Sequence, residues 1–154
     1  DLAANMIEMA KVKLAKYKNV EYVTEDFYNF DFDGKYDAVV SSLSLHHLRT
    51  DSDKKIFLKK IFDALNRNGV FYNADVVLGS DENLQNIYME KWKEFMQKKV
   101  SISEITDKWF PKYKEEDRPA ELMKQMEWLA KAGFKKTDII WKYYNFAVYG
   151  GIKL

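Results

Sequence analysis

Apolar and polar positions repeat with two different periods along this chain, and the switches between them mark out its elements. From about Ala3 to Tyr17, Met6, Met9 or Ala10, and Leu14 recur at helical spacing, with Lys11, Lys13, Lys16 and Lys18 mostly turned to water. Asn19 ends that segment. Val20–Asp26 is β-branched and aromatic with polar residues interleaved, which predicts a short strand. After an Asp33-Gly34 turn, Tyr36–Ser42 has a continuous apolar centre, the pattern of a strand covered on both faces. A helix capped by Asp51 or Ser52 runs to about Asn66, with Ile56, Phe57, Ile61, Ala64 and Leu65 as its apolar stripe. Asn68-Gly69 stops it, and Val70–Leu78 predicts another strand. Helical spacing returns from about Asp81 to Lys99 and near Ser103–Phe110, where Pro111 is expected to end it. A last helix from about Ala120 to Ala132 closes at Gly133. Two strands then follow, Lys136–Tyr144 and Phe146–Lys153, with Asn145 as the turn residue between them.

Strands separated by helices imply right-handed parallel crossovers, and the close-coupled final pair implies one antiparallel strand at the end. The expected fold is an open α/β sheet, mostly parallel, with helices on both faces. A length of 154 residues suits a single domain spanning 1–154. Composition narrows the chemistry. Without cysteine there is no disulfide, thiolate nucleophile or thiolate metal ligand, which fits a reducing, cytoplasmic setting. With 25 basic against 24 acidic residues the chain is not broadly basic, so charge gives no support for tRNA or other nucleic-acid contact. No apolar run approaches the ~20 residues of a membrane span, and no membrane partner is expected.

Open α/β sheets bind ligands at the carboxyl ends of their strands, so the residues there carry the candidate chemistry. They are Asp26-Phe27, Ser42 through His47, Asn73 to Asp75, and Tyr143 to Asn145. An acid followed by an aromatic can accept from an exocyclic amine while packing a flat ring. An acid at the chain's first position, Asp1, can accept two ribose hydroxyls. His46 and His47 are the chain's two histidines; a histidine at a strand end can serve as a general base, and its plainer role is to pack at the sheet end. Asp75 is suited to orient an acceptor or to cap a turn. No metal is expected, because side chains of adjacent residues diverge and spacing marks no third ligand. Tyr88, Trp92, Tyr144 and Asn145 are candidates for a substrate wall, though helical spacing also suits Tyr88 and Trp92 to the core.

Taken in order, these segments resemble the class I S-adenosylmethionine-dependent methyltransferases, whose fold is Rossmann-like. Asp1-Leu2-Ala3-Ala4-Asn5-Met6 is similar to the family's D-x-S-x-x-M segment, with Ala3 in place of the usual Ser. Glu25-Asp26-Phe27 resembles its acid after the third strand, Tyr36 to Leu48 its fourth strand and loop, and Leu65 to Val70 its L-K-P-G-G turn. The closing Ala132-Gly133-Phe134 and the two final strands match its sixth and seventh strands. The resemblance implies S-adenosylmethionine as cofactor. It implies ribose contact at Asp1, with Leu2 beside it, and an adenine side formed by Met6, Asp26 and the backbone of Phe27. Ser42 would then meet the methionyl part. The first strand and glycine-rich loop of the family have no counterpart, so the resemblance implies a chain that lacks this unit and is inactive alone. A homodimer is a candidate assembly for an incompletely covered sheet.

The implied reaction is methyl transfer to a small-molecule acceptor, with residues 80–118 as substrate cover, and His46 and Asp75 as its catalytic candidates. One alternative is an enzyme of tRNA wobble-uridine modification with the same fold, because Tyr144-Asn145-Phe146 is similar to the ending of the carboxy-S-adenosylmethionine-forming enzyme of that pathway. Another is a non-catalytic module.

Overall fold

A computed structural model describes residues 2–154, which fall into two compact units divided between Asp33 and Gly34. In the first unit, helix α1 (Ala4–Lys13) has Ala3 at its N-cap with no side-chain hydrogen bond, and its last turn carries Lys11 and Lys13. Those cations suit the negative end of the helix dipole. None of its residues is buried. The expected strand Val20–Asp26 is irregular. Strand propensity measures how a residue fits a pleated, half-buried surface, and Val23 is exposed here.

The second unit is built on four strands: β1 (Tyr36–Ser42), β2 (Leu65–Val76), β3 (Lys135–Tyr143) and β4 (Phe146–Ile152). Their order is β1-β2-β4-β3. β1 pairs parallel to β2, while β4 runs antiparallel to both β2 and β3. Three strands therefore share one direction and the C-terminal strand opposes them, in an open sheet as the element order implies. β1 lies at an edge of this sheet, and its burial departs from expectation: Val40 is 76% exposed. A continuous apolar run identified the strand correctly, but burial depends on what covers it.

Helix α2 (Asp51–Ala64) starts at Thr50 rather than at Asp51 or Ser52. The Asp53 N–H donates to Thr50 Oγ1 at 3.1 Å and the Thr50 N–H to Asp53 Oδ2 at 2.9 Å, a reciprocal capping box. Phe57, Leu58, Ile61 and Ala64 are buried, whereas Ile56 points to solvent. α2 packs beside helix α6 (Leu122–Ala132), which ends at Gly133 with φ 119°, a left-handed cap that favours glycine. Between sheet and helices, Phe134 meets Phe62 edge-on at 5.1 Å and Phe71 at 5.8 Å. A Cβ on Gly150 would lie 1.9 Å from the Phe71 carbonyl, so the β2–β4 approach requires a glycine there.

Helix α3 (Glu82–Met96) is capped by Asp81, whose Oδ1 accepts from the Leu84 N–H at 2.9 Å. Pro111 does not end the helical stretch that follows. α4 (Ile102–Glu104) widens into a π turn (Ile105–Trp109), and α5 (Phe110–Glu116) then carries Pro111 in its first turn. A missing N–H costs little in a first turn, and a wide turn before the ring relieves its clash with the preceding carbonyls. Among the described residues no helix is long and apolar enough to cross a membrane.

Candidate active site

The carboxyl end of β2 supplies the centre of the candidate site. Alternation along a strand sets Asn73 and Asp75 on one face, and register places Asn73 opposite Tyr149 and Asp75 opposite Ala147. Both polar side chains are buried. β1 ends at Ser42 and turns sharply: Leu43 takes φ 50°, and its N–H donates to the Ala74 carbonyl at 2.9 Å. The 3-10 turn Leu45–His47 then brings His46 over β2.

His46 is 6% exposed, and its Nδ1 lies 2.5 Å from Asp75 Oδ1. Asp75 also accepts from the His46 N–H at 3.1 Å, the Val76 N–H at 2.9 Å and Asn73 Nδ2 at 3.3 Å. Four donors answer this buried carboxylate, as burial of a charge requires. The other imidazole nitrogen, Nε2, lies 3.6 Å from Asp117 Oδ1, and His47 Nδ1 lies 3.7 Å from the same oxygen. The Arg118 N–H donates to the His46 carbonyl at 2.8 Å, holding the chain just after α5 against the turn. Burial pulls the His46 pKa down, but the hydrogen bond and charge of Asp75, with Asp117, outweigh it and leave it above the usual 6.5. Lys54 is buried nearby and donates to the Leu48 carbonyl at 2.5 Å; desolvation holds its pKa below 10.5, partly offset by Asp51, Asp53 and Asp75.

A buried polar chain continues away from the histidine. Asn73 Nδ2 donates to the Tyr149 hydroxyl at 2.9 Å, and that hydroxyl donates to Gln125 Oε1 at 2.5 Å. Gln125 Nε2 donates in turn to the Ala120 carbonyl at 3.0 Å. Burial raises the Tyr149 pKa well above 10, keeping a neutral phenol. Among the described residues, three buried polar atoms lack a hydrogen-bond partner: Ser41 Oγ, Asn73 Oδ1 and Asn145 Nδ2.

His46 and Asp75 are thus brought into direct contact. Tyr144, with φ 49°, and Asn145 form the β3–β4 turn, and the Asn145 carbonyl accepts from the Val77 N–H at 2.8 Å, which sets this turn beside the end of β2. Tyr144 meets the Tyr88 ring edge-on at 6.2 Å. The Tyr88 hydroxyl accepts from Lys142 Nζ at 2.7 Å. Trp92 packs against Phe110 at 5.7 Å and Tyr113 at 5.1 Å, inside an aromatic cluster of the 80–118 segment. Ser42 is exposed at the end of β1, its carbonyl accepting from Ser44 Oγ. The remaining cofactor-side candidates belong to the first unit. Asp1 lies outside the described residues. Leu2 is 67% exposed and Met6 is exposed on α1. Asp26 takes the Tyr28 N–H on Oδ1 at 3.1 Å within its own turn, and Phe27 is half-buried beside it.

Sequence reasoning missed Asp117, Gln125 and Tyr149. The strand alternation Asn73-x-Asp75 signalled a polar face, but its partners are distant in the chain and spacing cannot name them. The family described as "Methyltransferase domain" matches residues 1–69. Similarity to curated relatives runs through nearly the whole chain. The carboxy-S-adenosyl-L-methionine synthase of Nautilia profundicola is 26% identical over 99% of this chain and 65% of its own length. That of Campylobacter hominis is 29% identical over 97% of this chain and 63% of its own length. The chain therefore spans just under two thirds of these relatives. Among solved structures, the N-methyltransferase NodS of Bradyrhizobium japonicum superposes with a TM-score of 0.63 at 9% identity, over 99% of this chain and 70% of that one, a likeness of fold. Residues 1–69 thus match a methyltransferase domain family, and the chain shares the fold of methyltransferases such as NodS.

Proposed function

We propose that this chain forms part of an enzyme that uses S-adenosylmethionine to make its carboxylated derivative, carboxy-S-adenosylmethionine. The observation that carries this reading is the extent of the similarity to enzymes of that name. It covers 97–99% of the chain, including the stretch beyond residue 69 that the domain family does not match. That stretch holds Asp75, the α3–α5 segment and the Tyr144-Asn145 turn.

The family resemblance makes Asp1, Leu2, Met6, Asp26 and Phe27 candidates for the ribose and adenine side of the cofactor, and Ser42 a candidate for its methionyl side. The buried, unpartnered Asn145 Nδ2 and Ser41 Oγ at the strand ends are polar groups that a carboxylate-bearing ligand would satisfy. When bound, the cofactor supplies an activated methyl sulfonium. This chain's residues bind and orient it, and Asp75 fixes the His46 ring so that Nε2 faces Asp117. Mass spectrometry of the nucleoside that co-purifies with the protein tests the reading. Carboxy-S-adenosylmethionine is expected, bound at least tenfold tighter than S-adenosylmethionine in a calorimetric titration. Equal affinity for the two would overturn it in favour of methyl transfer to a small-molecule acceptor.

A further inference from the structure

We propose that His46 Nε2, His47 Nδ1 and Asp117 Oδ1 form a divalent metal site of the zinc class, with Asp75 as its hydrogen-bonded support. The three ligand atoms lie within 4.8 Å of one another. Neighbouring side chains diverge in an extended strand, but this pair sits in a 3-10 turn. The two rings lie with centroids 4.1 Å apart and planes tilted by 49°, so both present a nitrogen to the same carboxylate. The third ligand comes from the end of α5, about seventy residues further along the chain, where spacing alone cannot reveal it.

Distances favour a shared ion over direct hydrogen bonds. At 3.6 and 3.7 Å, the Asp117 oxygen is too far from either nitrogen for a good N–H···O contact. Two ligands each about 2.1 Å from one Zn2+ lie about 3.6 Å apart when the angle between them is about 120°. Two nitrogens and one carboxylate oxygen suit Zn2+, Co2+ or Ni2+ rather than Mg2+ or Ca2+. Three protein ligands leave a fourth position for water or a substrate oxygen. The support is already built: His46 Nδ1 contacts Asp75 Oδ1 at 2.5 Å, which fixes the tautomer that turns the Nε2 lone pair toward Asp117.

The charges around the site permit a cation. Asp75 and Asp117 bracket His46 on both sides. Against them stand Lys54, whose ammonium is turned to the Leu48 carbonyl, and Arg118, whose guanidinium donates to the Lys114 and Asp117 carbonyls. Access is open, since the His47 side chain is half exposed. Such an ion would clamp the chain following α5 onto the turn after β1, at the mouth of the sheet.

The chain has two histidines and no cysteine, so an untagged protein offers a clean background. Chelator-treated protein is titrated with Co2+ and followed by visible absorption, then with Zn2+ by calorimetry. One ion per chain is expected, with the intense d–d bands of a four- or five-coordinate Co2+. His47→Ala and Asp117→Asn should each weaken binding at least tenfold while leaving the far-ultraviolet circular dichroism unchanged. Asp75→Asn should weaken it by about 10–100-fold through the support. Absence of Co2+ bands at millimolar metal would overturn the proposal. So would binding indifferent to His47→Ala and Asp117→Asn.

Discussion

Residues 1–33 and residues 34–154 differ in what holds them. The first unit has one helix with no buried residue, and its cofactor-side candidates Leu2 and Met6 are largely in solvent. The second has a core in which Phe71, Leu129, Phe134 and Tyr149 are almost wholly buried, and its candidate site grows from the polar face of a core strand. The cofactor-side candidates Leu2 and Met6 therefore sit where substitution costs little stability, while His46 and Asp75 sit where geometry is over-determined. Under the proposed function, recognition and rigidity are separable along the chain.

The largest effect that sharpens this contrast is Phe71→Ala, which should cost about 3–5 kcal/mol in a urea titration. Met6→Ala should stay within about 0.5 kcal/mol, as surface changes do. Comparable losses for the two would erase the distinction. Next comes Asp75→Asn, which breaks a buried ion pair and turns an acceptor of four bonds into a partial donor; a loss of about 3 kcal/mol is expected by the same assay.

Tyr149→Phe is smaller, about 1–2 kcal/mol, because it leaves the Gln125 and Asn73 amides without their shared hydroxyl. It also carries a pH signature. Burial holds Tyr149 above 10, and burial with the Asp117 charge pushes Tyr113 up to about 12. A folded-state pKa above the unfolded value of about 10 gives stability that is complete below pH 10 and falls as pH rises through the folded value. Thermal melts should therefore drop steeply between about pH 10 and 12, and less steeply in Tyr149→Phe. A flat profile across that range would show that these phenols are not confined. The smallest change, Thr50→Ala, removes the α2 cap and should cost about 1 kcal/mol in the same melts.

Local signals were the legible ones. Gly133, the Asn145 turn and the strand-end position of His46 and Asp75 were all readable, because each depends on residues near in sequence. Three features were not. β1 carries the apolar run of a covered strand, yet Val40 is exposed, since coverage depends on the elements packed against it. Pro111 looked like a stop because the π turn that accommodates it has no sequence mark. The Asp117 and Tyr149 contacts join strands and helices far apart in the chain, and only the sheet order brings them to Asp75's neighbourhood.

The separation of recognition from rigidity is tested most directly at Asp26. Calorimetric titration of the Asp26→Ala protein with S-adenosylmethionine, beside its melting temperature, reads both properties at once. Affinity at least tenfold weaker with an almost unchanged melting temperature is the predicted result. Unchanged affinity, or a melting temperature lowered as far as in Phe71→Ala, would contradict it.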